Sequence, residues 1–499
     1  MNHTLKNIIY VLIASTFAKI LGGIATLIIP KILEPANYGV LATLLLILSY
    51  APIAALGTVE ALLKQYPYFI GNGQLVKARE CEDNILGSIC LSAIFLFICA
   101  VLVPVVISFS GLEGYQTEIQ LMLLTASVSS FSGFFYFRLA AHQNFKACGK
   151  VDALRAIMML LLIFIFARIW GLKGAVVGYF VIEILVCTTS MLLGFKICGK
   201  LRIKLNSNLI WQAIKIGFPI TIIWWTLTFQ SSVDRLVSAS FLGKEMTGHY
   251  CLGLSFCSML GLIPGAISRV LYPKITEGIG KNMNPEQLSS LVISPVRTLS
   301  MVIPAFIGGL IIILPTIYSS IFPKYYPGLY SAQLLLLGFF FSGLTGGANF
   351  LIAKDKQNIL FVFILIGLAA NAVFGLCFIY IGLGIEGVAV STSLAGALLT
   401  TLIWRLVLKN MLHTSVNQWR LLLGLYSPFV LMLALLSLFQ IIFPMFLHST
   451  GGVSIIYIFL FLLSYLAIAF LLPPYKKWSK EIYSLFKYHI SGTIKPESI

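Results

Sequence analysis

The 499-residue chain is 59% hydrophobic and only 10% charged, with a mean hydropathy of +0.96 and a net charge of +17. A soluble domain carries about a quarter charged residues, and an outer-membrane barrel alternates apolar and polar residues with period two; repeated runs of about twenty apolar residues exclude both and predict a polytopic α-helical membrane protein. The basic excess sits beside those runs, so it is read as topology signal and contact with anionic membrane lipids, with no nucleic-acid partner.

Fourteen helices are predicted, at about 8–30, 37–63, 84–110, 119–141, 154–171, 172–196, 211–241, 248–270, 291–317, 329–352, 357–381, 384–408, 419–445 and 452–474. The first contains Lys19 and shows no small-residue cleavage site, so it reads as a retained span and not a signal peptide. Ser15, Lys19, Gly22 and Thr26 recur along one face of it. A lysine at mid-span costs about 3 kcal/mol on insertion scales, so this face should meet protein or water. The second span is introduced by LEPANYGVL (33–41) and closed by Glu60, Lys64 and Tyr66-Pro67. Arg138 ends the fourth. The fifth and sixth are separated only by the turn at Gly171 and Gly174, and Glu183 lies at mid-depth of the sixth.

The seventh span is long, with Gly217-Phe218-Pro219 marking where an interfacial segment enters. Along it Trp224, Thr228, Ser231, Arg235 and Ser238 form a polar stripe, with Gln230 and Asp234 alongside. LGKEMTGHY (242–250) introduces the eighth span, which ends at Arg269 and Tyr272-Pro273. Cysteines fall mostly inside apolar runs with no metal-like spacing, so neither a metal site nor disulfides are indicated.

Three echoes indicate duplication. Leu33 and Gly39 align with Leu242 and Gly248, Tyr66-Pro67 with Tyr272-Pro273, and the turn GLKGAVV (171–177) with GLGIEGVAV (382–390). Six spans precede the repeat point near 211, so both copies enter the membrane in the same sense, and the pseudo-two-fold runs along the membrane normal. The predicted organisation is a six-helix bundle at 1–205, a second at 206–410, two additional helices within 411–474, and a basic tail at 475–499. With both termini cytoplasmic, only Lys31, Arg168, Lys173, Arg235, Lys244 and Lys324 of the 34 Lys and Arg flank spans on the outer side. A multi-pass protein of the cell (inner) membrane is expected.

The hairpin segments IIPKILEPANYGVLATL (28–44) and DRLVSASFLGKEMTGHYCLGLSF (234–256), with the glycine turns GLKGAVVGY and GLGIEGVAV, resemble the polysaccharide and lipid-linked oligosaccharide flippases of the multidrug/oligosaccharidyl-lipid/polysaccharide exporter superfamily. The likeness spans roughly residues 1–410. It implies two six-helix bundles around a cavity that opens alternately to each side, and a polyprenyl-diphosphate-linked substrate moved to the outer leaflet.

Within that frame Lys19 and Arg235, with Ser15, Thr26, Thr228, Ser231 and Asp234, are the cavity candidates for an anionic headgroup. Glu183 is either the ion-pair partner of Lys19 or a coupling residue. Lys64, Arg138 and Arg269 line an electropositive cytoplasmic mouth or are interfacial anchors. The alternatives are a multidrug/cation antiporter, for which Glu183 and Asp234 would carry proton or sodium coupling, and a flippase for a lipid-linked peptidoglycan precursor. No covalent chemistry and no cofactor are expected: the outer loops lack paired carboxylates, and no Gly-x4-Gly-Lys phosphate loop occurs. Polysaccharide-assembly proteins are candidate partners.

Overall fold

The computed structural model describes residues 21–107, 113–281, 283–411, 415–443 and 452–469. Among them the regular structure is helical, without strands. In chain order the α-helices are α1 (Leu21–Ile32), α2 (Pro35–Tyr50), α3 (Thr58–Gly71), α4 (Leu75–Ile107), α5 (Gln116–Ala141), α6 (Phe145–Met158), α7 (Phe164–Cys198), α8 (Ser207–Gln230) and α9 (Val233–Phe241). There follow α10 (Gly243–Leu260), α11 (Leu262–Gly280), α12 (Pro285–Ser320), α13 (Leu329–Gly343), α14 (Gly347–Ala353), α15 (Gln357–Tyr380), α16 (Gly384–Met411), α17 (Ser415–Ile442) and α18 (Gly452–Ala469). The chain is a multi-pass helical membrane protein.

Ten described helical segments are long and apolar enough to cross a membrane, and Leu21–Ile32 and Val453–Ala469 are shorter apolar helices. Of the fourteen predicted spans, the first (8–30) and the last (452–474) lie only partly within the described residues, and the fifth to the eighth differ for local reasons. The fifth and sixth run on as one helical stretch, Phe145–Cys198, whose direction reverses at Gly171, where φ is 58° and ψ −131°. The hairpin is tight: a Cβ on Gly174 would lie 1.8 Å from the Phe166 carbonyl oxygen, and one on Gly178 would touch Ile163. The seventh and eighth predicted spans are each broken, at Ser231-Ser232 and at Gly261.

The chain groups into two compact units, Met1–Leu262 with Leu368–Val388, and Ile263–Gly367 with Ala389–Ile499. These units reflect packing, and the predicted repeat boundaries reflect sequence. The two divisions differ because α8 and α10, which open the second repeat, pack on α3 and α2.

In the first unit the two echoed segments meet each other. A Cβ on Gly39 would fall 1.9 Å from the Lys244 carbonyl oxygen, and one on Gly248 would fall 1.8 Å from the Pro35 carbonyl oxygen. Pro35 aligns with Lys244 as Gly39 does with Gly248, so the contact is reciprocal, as a local two-fold axis requires. Tyr38 adds a hydrogen bond to Ser255 (2.9 Å) across the same α2–α10 crossing.

The second unit is organised on α12. Gly308 faces the Phe461 ring so closely that a Cβ would sit 2.1 Å from it. The Tyr465 hydroxyl donates to the Met301 carbonyl (2.8 Å), and Thr316 bonds Ser454 (2.9 Å). The two helices without a counterpart in the first repeat thus include one, α18, that is tied to α12 by backbone and side chain.

Candidate functional site

Three clusters of buried charge stand out in the described part of the first unit. The first lies where α4 begins its apolar run. Glu82, Asp83 and Asn84 are all buried there, and each is committed to a partner. Arg138, in the last turn of α5, gives Nε (2.9 Å) and Nη2 (3.2 Å) to the two Glu82 carboxylate oxygens. Its remaining donors close the end of α7: Nη1 reaches the Gly194 and Gly199 carbonyls, and Nη2 the Cys198 carbonyl. Carbonyls at a helix C-terminus lack intrahelical partners, so a guanidinium there satisfies both its own donors and those acceptors. His142 packs against Tyr66 with the rings tilted by 30° (4.2 Å between ring centroids) and bridges Glu82 (2.8 Å) and the Tyr66 hydroxyl (3.1 Å). An ionised Glu82 only accepts, so Nε2 carries the proton, and in the neutral ring Nδ1 accepts from Tyr66.

The second cluster is built by the Gly171 hairpin, which brings Glu183 back beside α6. Arg155 binds it bidentately, Nη1 to Oε2 at 2.7 Å and Nη2 to Oε1 at 3.2 Å, and the Ser132 hydroxyl donates to Oε1. Glu183 is buried while the Arg155 side chain is 46% exposed, so the arginine links a buried carboxylate to the surface.

The third cluster surrounds the break between α8 and α9. The Ser232 hydroxyl donates to the Thr228 carbonyl (2.7 Å), and Ser231 donates to the same oxygen (3.0 Å). Two adjacent serines therefore compete for backbone acceptors, which loosens the helix. Tyr50 of α2 pairs with Ser232 and packs on Phe229 at 4.8 Å. Beyond the break, Asp234 is buried and accepts from the Tyr250 hydroxyl (2.6 Å) and the Arg235 backbone N–H (2.8 Å). The Arg235 side chain turns back, Nη2 donating to the Ser231 carbonyl (3.0 Å). Its buried Nε has no hydrogen-bond partner among the described residues.

These positions modify the sequence expectations. The stripe of Trp224, Thr228, Ser231, Arg235 and Ser238 is not one continuous helical face, because the axis breaks after Gln230. Thr228, Ser231, Asp234 and Arg235 do gather at that break. Trp224 is exposed, whereas Ser238 is fully buried and bonded to Thr247 (3.1 Å). Thr26 is half-buried and returns its hydroxyl to Gly23 (2.7 Å).

Arg138, expected at a cytoplasmic mouth, is 1% exposed with every N–H engaged in this conformation. Lys64 is exposed on α3. Ser15 and Lys19 lie outside the described residues, as does the Arg269 side chain. Sequence reading passed over Glu82, His142 and Tyr250. The signal for the first was the run Glu82-Asp83-Asn84 heading an apolar stretch, where three consecutive polar groups need partners.

A family model described as polysaccharide biosynthesis protein matches residues 4–279. The chain belongs to that family. No curated protein matches it. Its fold is similar to that of the lipid II flippase MurJ in an inward closed conformation, with a TM-score of 0.71, 16% identity, and coverage of 93% of this chain and 99% of that one. It is also similar to an inward-facing multidrug resistance MATE family transporter of the MOP superfamily, with a TM-score of 0.63, 13% identity, and coverage of 79% and 94%. A MOP superfamily transporter from Pyrococcus furiosus, reported with reversed polarity of its binding pocket, gives a TM-score of 0.54, 14% identity, and coverage of 80% and 95%. This polysaccharide biosynthesis family member therefore has the fold of the MOP transporters and flippases. Its second unit also holds an apolar cavity of about 530 Å³, lined by Ile311, Tyr330, Gln333 and Leu433 among others. That cavity contains none of the predicted site residues.

Proposed function

We propose that this protein is a flippase that moves an anionic polyprenyl-diphosphate-linked oligosaccharide from the cytoplasmic to the outer leaflet of the cell membrane, with both termini in the cytoplasm. The observation that carries the reading is the polysaccharide biosynthesis family match on a chain with a flippase-like fold. The charge pattern supports an anionic substrate. Glu82, Glu183 and Asp234 are each held by donors of the protein itself, whereas Arg235 keeps a donor without a partner among the described residues at the α8–α9 break. Lys19, within the first predicted span, would supply a second cation. The protein does no covalent chemistry; it shields the diphosphate and sugars from the bilayer core while the prenyl tail stays in lipid. Proton or sodium coupling, or the membrane potential at about 2.3 kcal/mol per charge per 100 mV, would drive the step.

The test is a deletion strain in which lipid-linked oligosaccharide is assayed for accessibility at each leaflet. Accumulation on the inner leaflet with loss of surface polysaccharide is expected. Normal surface polysaccharide with reduced dye efflux would instead establish a cation antiporter, and stranded peptidoglycan precursor a cell-wall flippase. At the residue level, Arg235→Ala should lower flipping and Arg235→Glu should abolish it. Full activity of the glutamate variant would remove Arg235 from the site.

A further inference from the structure

Residues 199–206, which join the two sequence repeats, run as a non-helical strap across the start of α4. Backbone N–H groups of alternate residues hold it. Arg202 donates to Asp83 Oδ1 (2.9 Å), Lys204 to the Asp83 carbonyl (3.2 Å), and Asn206 to Asn84 Oδ1 (2.8 Å). The fit is close enough that a Cβ on Gly87 would sit 2.0 Å from the Lys204 carbonyl oxygen. Arg79 and Arg138 clamp the N-terminal end through the Lys200, Cys198 and Gly199 carbonyls. With its backbone so committed and Leu201 packed on the core, the strap projects its side chains from Arg202 onward outward.

Those side chains alternate in character. Lys200, Arg202 and Lys204 are exposed, and between and beside them Ile203 is 64% and Leu205 58% exposed. The flanking helix ends continue the pattern, with Lys196 beside exposed Phe195 and Ile197, and Lys215 over the exposed Trp211 ring at 5.7 Å. Lys77 and Arg79 add charge from α4. The acids on this face offer little compensation: Glu82 and Asp83 are buried and bonded, Asp83 also reaching Lys204 Nζ at 3.4 Å, and only half-buried Glu80 remains. Interleaved cations and exposed aliphatic or indole side chains beside membrane helix ends match one partner. The cations meet phosphate at headgroup depth, and the apolar groups reach the acyl boundary. A nucleic acid would match the charge but leave Ile203 and Leu205 in water.

We propose that the 195–215 strap region is a docking surface for anionic phospholipid headgroups, pre-organised by Asp83 and Asn84. It is separate from the transport reading and stands whichever substrate the protein moves.

The test uses the purified full chain in zwitterionic detergent. Binding of phosphatidylglycerol and of phosphatidylcholine is read by native mass spectrometry, with glycerol phosphate as a soluble competitor. Wild type should prefer phosphatidylglycerol, glycerol phosphate should fail to displace it, and K196Q/K200Q/R202Q should lose at least about tenfold in affinity without a change in melting midpoint. All three positions are exposed and make no side-chain contact within the strap's own hydrogen bonds, so folding is preserved. I203S/L205S, which keeps every charge, should also weaken binding. D83A/N84A, which removes the side-chain acceptors of the Arg202 and Asn206 N–H groups while keeping the strap's cations, should weaken it as well. Undiminished phosphatidylglycerol preference in the triple-glutamine variant, or equal binding of both lipids by wild type, would overturn the proposal. Displacement by glycerol phosphate would show an ion site without lipid docking and would overturn it equally.

Discussion

The α2–α10 crossing makes a prediction whose sign can be worked from distances. Replacing Gly39 with alanine places a methyl 1.9 Å from the Lys244 carbonyl oxygen and 2.7 Å from the Gly248 nitrogen. A tolerable C···O approach is about 3.3 Å, so the helices must part locally by about 1.4 Å. The obstacle is backbone on both sides, and no side chain can rotate away. Two effects oppose. Alanine gains up to about 1 kcal/mol of helix propensity over glycine, and overpacking of this kind costs about 1–3 kcal/mol, occasionally more. With the methyl well inside contact distance of main chain, overpacking wins, and Gly39→Ala should lower stability. Gly248→Ala should do the same through Pro35.

Because one separation of the helices relieves both clashes, the double variant should lose less than the sum of the singles. Gly133 of α5 supplies the control: nothing lies within 4 Å of its would-be Cβ, so Gly133→Ala should be neutral or mildly stabilising. Thermal unfolding in one fixed detergent, followed by intrinsic fluorescence, checks the ordering. A Gly39→Ala midpoint at or above wild type, or strictly additive losses in the double variant, would refute the reciprocal contact.

Other expectations follow from the buried charges. Glu82→Gln leaves Arg138 buried without its carboxylate, and breaking such a pair costs about 3–5 kcal/mol. The yield of monodisperse protein and its melting midpoint should both fall, with partial recovery in Glu82→Gln/Arg138→Gln. At the second cluster, Arg155→Ala should be more damaging than Glu183→Gln, because the first strands a buried carboxylate while the second leaves a neutral group that Ser132 can still bond; melting midpoints of the two variants decide it. On α11, the hydrogen bond from Lys281 (2.5 Å) lowers the Glu277 carboxyl pKa below its ordinary value. A lowered folded-state pKa adds stability above the unfolded pKa and loses it as pH falls through the folded value. The pair is fully exposed, so Lys281→Ala should leave the midpoint and its acid-side pH dependence unchanged within error.

How far the sequence could be read varies with the kind of constraint. Helical class, the Gly171 hairpin and the α2–α10 echo were legible because each rests on a local signal: run length, a turn glycine, or a repeated Leu-x5-Gly spacing. The echo said that 33–41 and 242–250 are related, and the structure adds that they touch, which no spacing can express. The breaks at Ser231-Ser232 and Gly261 were not anticipated, because hydropathy averages over a window wider than a one-turn interruption. Partners of charged residues were read least well. Arg138 looked like an interfacial cation since its carboxylate, Glu82, comes from 56 residues earlier, and the carbonyls it caps, at 194, 198 and 199, come from about as far later.

That pairing bears on function. A membrane protein cannot leave carboxylates unpaired at depth without strong consequence, and here three buried acids of the first unit, Glu82, Glu183 and Asp234, are assigned to Arg138, Arg155 and Tyr250. Those assignments are of two kinds. Arg138 is enclosed, with its donors spent on helix ends, and any motion that withdrew it would also uncap α7. The Arg155 side chain is half exposed, and Tyr250 is a neutral hydroxyl, so Glu183 and Asp234 are the acids whose partners can be exchanged at lower cost. If a charge couples to transport in this fold, it should therefore be sought at Glu183 and Asp234 before Glu82. Neutralising Glu183 or Asp234 should alter the ion dependence of flipping, whereas neutralising Glu82 should lower the amount of folded protein and leave the ion dependence of the remainder unchanged. Equal loss of protein in all three variants, with the ion dependence untouched, would place these three carboxylates in the scaffold.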